Sequence, residues 1–454
     1  MIDSDNSSRL NQFISNPKKA LWTLSIPMML GMSVQAIYML IDTAFIGKWV
    51  GGSALAGLGV IFPPMFIIMG ITFGLGSGAT TVIAQSIGEE NKKNADNASE
   101  HIILLGIFLS FIFVCAGLFF GDYLIQYQVS DIQVNKHASD YFYTMLYGVF
   151  FMVLSIFFRS ILSGEGDNLL PMKVLGVGTL INLILDPPFI YYYQIRGAAL
   201  ATVISQICVF IIFSYIMIFK NHAYITLNLK NFSFDLKIFN KIMKLGIPAS
   251  LSMVIMSIGL FIYNTILGMT QYSVNSVAAY STAHRIEHLF FIPIISLSTS
   301  MVTLIGMFFG AKKYNLINDI FSYGIKIGII ISSIFGLIFY TSSEFILSLF
   351  TNDINIIHIG KDYFKIFAFA VPFVTITMIS SRCMQGLGKA YPMFIIACLR
   401  VIIISSLLGY YFIVYLHKPL VYAWYAILIS CISSAFVSYI WFLIVRKNHL
   451  KQTI

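Results

Sequence analysis

Charged side chains are scarce in this sequence. They make up 10% of its 454 residues, against roughly 25% in an ordinary soluble domain. Mean hydropathy is +0.84, and together these values exclude a water-soluble fold. Cysteine is scarce too. Cys115, Cys208, Cys383, Cys398 and Cys431 lie scattered in apolar runs without CxxC spacing, which argues against a disulfide framework and against a thiolate metal site. There is no GxxxxGK[ST] run, so a pump with its own ATP-binding phosphate loop is excluded. No HExxH and no Ser/His/Asp set falls within the apolar runs, and the chain is not expected to be an enzyme or to need a cofactor. The polar start of roughly 18 residues precedes an apolar run too long for a secretory h-region, so no signal peptide is expected.

Long apolar sequence takes the place of charge. Hydrophobic residues make up 58% of the chain, 40 of them Phe. A helix needs about 20 mostly apolar residues to cross a bilayer, and runs of that length recur to the end. Barrel strands would alternate in hydrophobicity over about ten residues, whereas these runs are continuous. The expected fold is therefore an all-α integral membrane protein of about twelve transmembrane helices. Spans five and six are expected at 169–193 and 196–220, seven and eight at 241–269 and 276–308, and ten at 358–385.

The net charge of +9 is not the mark of a nucleic-acid partner, because the positive residues alternate between connections. Lys18 and Lys19, Lys92 and Lys93, then Lys220, Lys230, Lys237, Lys241 and Lys244, then Lys312 and Lys313, and last Arg446, Lys447 and Lys451 occupy every second connection. The others hold few, such as Lys48, Lys136, Arg196 and Lys418. The positive-inside rule then places both termini in the cytoplasm and requires an even number of spans in the cell membrane. The bilayer and small-molecule substrates are the expected partners, and the chain is expected to act as a monomer.

The sequence also repeats itself at an offset of about 221 residues. Leu24-Ser25-Ile26-Pro27 returns as Leu245-Gly246-Ile247-Pro248, Asp42-Thr43 as Asn264-Thr265, Gly88 as Gly310, and Ser163-Gly164-Glu165-Gly166 as Gln385-Gly386-Leu387-Gly388. Two pseudo-symmetric six-helix lobes follow: an N-terminal lobe over 1–220, a cytoplasmic connector over 221–244 and a C-terminal lobe over 245–454. Duplicated halves around a midplane site are the usual build of secondary transporters.

Ionisable groups inside spans are expensive and mark function. Asp42 lies in the apolar run IYMLIDTAFIG, and Asp186 in LINLILDPPFIYYY, with Asn182 four residues earlier on the same helix face. Pro187 and Pro188 are expected to kink or end the helix there and free carbonyls upstream. Asp42, Asp186 and Thr202 fall at similar depth, so Asp42, Asn182, Asp186 and Thr202 form a candidate cation-coupling set of hard oxygens. Two acids in one apolar cavity resist being charged together and titrate as a unit. A proton or Na⁺ can satisfy them, and the sequence does not choose between the two. Gln35, Tyr38, Asn264 and Glu287 are candidates for lining a substrate cavity. His284, Arg285 and Glu287 read either as a second polar site or as an interfacial cluster in which Arg285 neutralises Glu287. Pro27, early in its span, is a candidate hinge.

With the duplicated lobes, an Ile-Pro near the start of each, Asp42, the Asn182/Asp186-Pro187 segment and the run Gly197-Ala198-Ala199-Leu200-Ala201-Thr202, the chain resembles the multidrug and toxic compound extrusion (MATE) transporters over nearly its whole length. The resemblance implies efflux of amphipathic, often cationic compounds against entering H⁺ or Na⁺, by alternating access of two lobes around a central cavity. It carries the coupling role onto Asp42, Asn182, Asp186 and Thr202. Members that couple through the C-terminal lobe place acids in spans seven and ten. Here span seven offers only Asn264, and span ten only Asp362 at its edge. The alternative is a lipid-linked oligosaccharide or polysaccharide flippase of the same superfamily. That would call for Lys or Arg within the cavity, where the spans are expected to hold almost none.

Overall fold

The computed structural model describes residues 3–128, 131–220, 224–228, 230, 232–270 and 273–451. Residues 221–223, 229 and 231 of the expected connector lie outside these. The chain is a succession of long helices: α1 Asp3–Ser15, α2 Pro17–Trp49, α3 Gly52–Gly88, α4 Lys92–Gln128, α5 Ile132–Gly164, α6 Leu169–Ser214, α7 Leu236–Gly268, α8 Ser273–Gly310, α9 Tyr314–Ser348, α10 Ile354–Gly386, α11 Tyr391–Tyr415 and α12 Val421–Lys451. Every element from α2 onward is long and apolar enough to cross a membrane. Helices satisfy their own backbone, which lipid cannot do. Several starts are capped by side chains. Asp131 accepts from the amides of Gln133 and Val134 at 2.9 Å, and Asp353 accepts from that of Asn355 at 2.9 Å.

The α6 element holds two crossings in one. Its backbone leaves the helical region at Gln194, with φ 52° and ψ −134°. A Cβ on Gly197 would collide with the carbonyl of Phe189, and one on Gly178 would touch Val209. Residues 31 apart in a straight helix would be separated by about 46 Å. Their contact means that the chain doubles back at Gln194 as a tight helical hairpin. Spans five and six are its two arms, and the eleven apolar elements make twelve crossings. The expected break at Pro187 and Pro188 is not found, because the helix runs through both prolines. Prolines are tolerated in spans where neighbouring groups take up the freed carbonyls.

The backbone repeats the duplication seen in the sequence. Six of the seven positive-φ residues among the described residues fall in pairs: Glu90 with Lys312, both at φ 56°, Gly166 at 79° with Gly388 at 83°, and Gln194 at 52° with His417 at 50°. Each pair is separated by the repeat offset. The sharp turn that joins the arms of α6 therefore has its counterpart between α11 and α12.

The chain falls into two compact units, Met1–Asn11 with Ile26–Ser250, and Gln12–Ser25 with Leu251–Ile454. Three helices are divided between the units, α1 among them, between Asn11 and Gln12. Helix α2 changes unit between Ser25 and Ile26, beside Pro27, and α7 changes unit between Ser250 and Leu251, just after Pro248.

In the first unit the early part of α7 lies against α3 through bare backbone. A Cβ on Gly78 would stand 2.6 Å from the Gly246 nitrogen, and Ser250 Oγ donates to the Ile71 carbonyl at 3.0 Å. Small residues permit this approach, as is usual where helices pack in lipid. The second unit has an aromatic core in which Phe339 stacks on Phe364 at 4.7 Å and Trp424 is 1% exposed.

The described part of the segment before α7 is fastened along the start of α4. Lys92 Nζ donates to the Tyr224 carbonyl at 2.7 Å, Asp96 accepts from the Thr226 amide at 2.9 Å, and Glu100 accepts from the Asn228 amide at 3.0 Å. Between α5 and α6, Glu165 accepts from the Ile225 amide at 2.7 Å. Burial pushes the Glu165 carboxyl up to about 8, against the lowering influence of that bond and of Arg9.

Candidate functional site

Two i, i+4 pairs on different helices meet inside the first unit. Helix α2 carries Tyr38 and Asp42 on one face, and the outgoing arm of α6 carries Asn182 and Asp186. Asp186 is wholly buried, and both its oxygens are engaged. Tyr38 donates its hydroxyl to Oδ2 at 2.7 Å, and Asn182 donates its amide to Oδ1 at 3.0 Å. The Asp42 carboxyl faces Asp186. Its Oδ1 is buried without a hydrogen-bond partner. Tyr141, on α5, lies close to both acids.

An orphaned buried carboxylate oxygen is costly unless something positive or a proton reaches it. The set offers two facing carboxyls, a phenol and an amide, all hard oxygen donors or groups that hold them in place. That chemistry fits a proton shared by the acids or a small alkali cation between them. Thr202 sits on the returning arm. From the hairpin contacts at 189/197 and 178/209, it is level with about residue 185. Its hydroxyl donates to the Ala198 carbonyl of its own helix at 3.0 Å, so depth places it with the acids while its proton is used locally.

Comparison with known proteins decides the family. The MatE family model matches residues 27–187 and 248–411, one match in each half of the repeat. The chain belongs to the MATE family. Among similar proteins, the "Probable multidrug resistance protein NorM" of Thermotoga maritima is 24% identical over 433 residues, covering 94% of this chain and 92% of the relative. The "Multidrug export protein MepA" of Staphylococcus aureus (strain NCTC 8325 / PS 47) is 26% identical over 392 residues, covering 86% of each. Among solved structures, a MOP superfamily transporter from Pyrococcus furiosus Vc1 superposes with a TM-score of 0.92 at 29% identity, covering 95% of this chain and 96% of that one. For that protein, reverse polarity of the binding pocket is said to suggest a different function.

In this MATE chain the remaining candidates are divided between the units. Gln35 lies on α2 in the first unit and is exposed. Asn264 and Glu287 lie in the second, on α7 and α8. The Asn264 Oδ1 and Glu287 Oε1 atoms are buried without partners. Glu287 is 6% exposed and faces His284 Nδ1 at 3.6 Å, with Tyr363 beside it. The expected neutralisation of Glu287 by Arg285 is not found. Residues two apart on a helix point away from each other, whereas His284, three apart, shares the face of Glu287.

Sequence reasoning missed one residue near the first-unit site, Tyr141, whose depth near the start of α5, level with the end of α2, was the available signal. A further correction concerns charge. The spans were expected to hold almost no Lys or Arg, yet Arg159, Arg382 and Arg400 lie within α5, α10 and α11. Arg382 donates to Gln385 at 3.1 Å.

Proposed function

We propose that this MATE transporter exports amphipathic organic compounds, often cationic ones, in exchange for H⁺ or Na⁺. The observation that carries the coupling role is the pair of facing carboxyls, Asp42 and Asp186, with one buried oxygen of Asp42 unpartnered. Asn182 and Tyr38 hold Asp186 from either side, and Thr202 lies level with them. The protein works as a monomer in the cell membrane with both termini in the cytoplasm, in keeping with the alternation of positive connections.

Substrate binds while its site faces the cytoplasm. The protein then opens outward, and a cation enters between Asp42 and Asp186. Neutralising that pair removes the repulsion between them and changes how α2 packs on α6. Helix α2 bends at Pro27, where the helix passes from one unit to the other, and substrate leaves outward. The cation is then released inward. One charge crossing about 100 mV supplies about 2.3 kcal/mol, roughly a fiftyfold concentration ratio.

The test is efflux of a fluorescent cationic dye from energised vesicles, with H⁺ and Na⁺ gradients collapsed separately and with Asp42→Asn alongside. Export that stops with one collapsed gradient and with the variant supports coupled antiport and names the ion. Full export by Asp42→Asn overturns the assignment of the coupling site.

A further inference from the structure

Arg159 lies on α5 within the first unit, five residues before the helix ends at Gly164. No carboxylate of the described residues pairs with it. The two acids nearest in sequence are engaged elsewhere. Glu165 holds the Ile225 amide, and Asp167 pairs with Arg9 at 3.8 Å while capping the amides of Leu169 and Leu170 at 3.0 Å. The guanidinium lies 5.9 Å from the centre of the Phe73 ring. Such a contact eases the burial of a cation but does not neutralise it.

Arg159 also borders a small cavity. Its walls are Met28 and Met32 from α2, Met172 and Pro171 from the start of α6, and Asn168, whose side-chain oxygen accepts from Ser163 at 2.7 Å. The free volume is about 10 Å³, which is room for one water-sized group. Arg159 is half-buried and lines a cavity whose other walls are largely thioether and hydrocarbon.

We infer that the Arg159 cavity is an anion subsite, seating the carboxylate or other singly charged anionic head of an amphipathic ligand. A guanidinium offers five donors in a planar fork suited to two anionic oxygens. The cavity as it stands takes one anionic oxygen, and the three methionines are unbranched and polarizable, so they can shift to admit the rest of the head and an apolar tail. Met28 and Met32 are within the first turn and a half after Pro27. Bending there moves one wall of the cavity relative to Arg159, which couples occupancy to the proposed cycle. This deepens the export function by adding anionic amphiphiles to the substrate class, and it rests on that function only for the claim that the bound anion is carried.

Binding rather than transport tests the inference, so a failure here leaves the efflux result intact and the reverse. The purified full-length protein in phosphatidylcholine nanodiscs is titrated with 11-(dansylamino)undecanoic acid and with its methyl ester, reading dansyl fluorescence. Hydrogen bonds to a charged group are worth about 1.5–3 kcal/mol, so the acid is expected to bind about 10- to 100-fold more tightly than the ester. Arg159→Gln is expected to bring the acid down to the level of the ester and leave the ester unchanged. Arg159→Lys, which keeps the charge and loses the fork, is expected to fall between. Repeating the titration with phosphatidylglycerol in the nanodisc separates two sources of the anion. Competition by the lipid assigns the subsite to a lipid headgroup, and its absence assigns it to soluble amphiphiles. Equal binding of acid and ester by the wild type, or equal weakening of both by Arg159→Gln with Arg159→Lys behaving like wild type, overturns the inference.

Discussion

Asp42→Asn separates the coupling role of the acid from any structural one. The carboxyl has one buried oxygen without a partner and faces a second carboxyl that is already held by Tyr38 and Asn182. Replacing it by an amide therefore keeps the bonds from Tyr38 and Asn182 that fix Asp186. Two carboxylates about 4 Å apart repel by about 4 kcal/mol at an effective dielectric of 20. That figure is an upper limit for the relief when the site holds neither proton nor cation. The variant is expected to melt at the wild-type temperature or above it, and to lose dye efflux. A bound ion also stabilises the wild type by RT ln(1 + [L]/Kd), about 2.7 kcal/mol at a hundredfold excess over Kd. If Na⁺ is the coupling ion, added NaCl raises the wild-type melting temperature more than KCl does, and Asp42→Asn removes the difference. Thermal unfolding of the detergent-purified protein in the two salts, paired with efflux from proteoliposomes, measures both effects. A variant that melts several degrees lower would refute the reasoning, because it would mean that Asp42 makes stabilising contacts in the fold.

Gly78→Val places its side chain against the Gly246 backbone, where even a Cβ would stand 2.6 Å away. Overpacking of this kind costs about 1–3 kcal/mol, so the yield of monodisperse protein on size exclusion should fall, whereas Gly59→Ala, with nothing within 4 Å, should behave as wild type. Gln194→Gly relieves a backbone held at φ 52° and ψ −134°. Strain of about 1–3 kcal/mol is offset in part by the greater freedom of glycine in the unfolded chain, and a higher melting temperature is expected. Burial holds the Glu165 carboxyl up at about 8, so the folded protein binds that proton more tightly than the unfolded chain. The contribution is full below the ordinary carboxylate range and is lost as pH rises toward 8, by at most about 1.4 kcal/mol per pH unit. Glu165→Gln should flatten the fall in melting temperature between about pH 5 and pH 8, and an unchanged slope would refute this.

Much of the architecture lies in local properties of the chain. Apolar run length alone requires helices that cross a bilayer, because only a helix or a closed barrel satisfies its backbone there. The duplication is legible in matched motifs, and the paired left-handed residues at 90 and 312, 166 and 388, and 194 and 417 carry it into the backbone. Helical periodicity places Asn182 with Asp186 and Tyr38 with Asp42, since residues four apart share a face whatever surrounds them. Family membership follows from the same motifs.

Contacts between helices belong to the tertiary structure. Which of two helices turns its acid toward the other, and which phenol joins them, depends on rotation and depth that no local pattern encodes. The Tyr38–Asp186 bond was therefore beyond sequence reasoning, and for Tyr141 depth was the one available signal. The turn at Gln194 falls between the two spans expected at 169–193 and 196–220, while the close approach of the two α6 arms through Gly178 and Gly197 belongs to the packing. Glu287 shows the same limit, because a charge two residues away in sequence looks like a partner and the helix points it elsewhere. Sequence fixes which groups must be buried in the membrane. Only the packing of helices decides which charges find partners, and it leaves one oxygen of Asp42 without a hydrogen bond and Arg159 without a carboxylate.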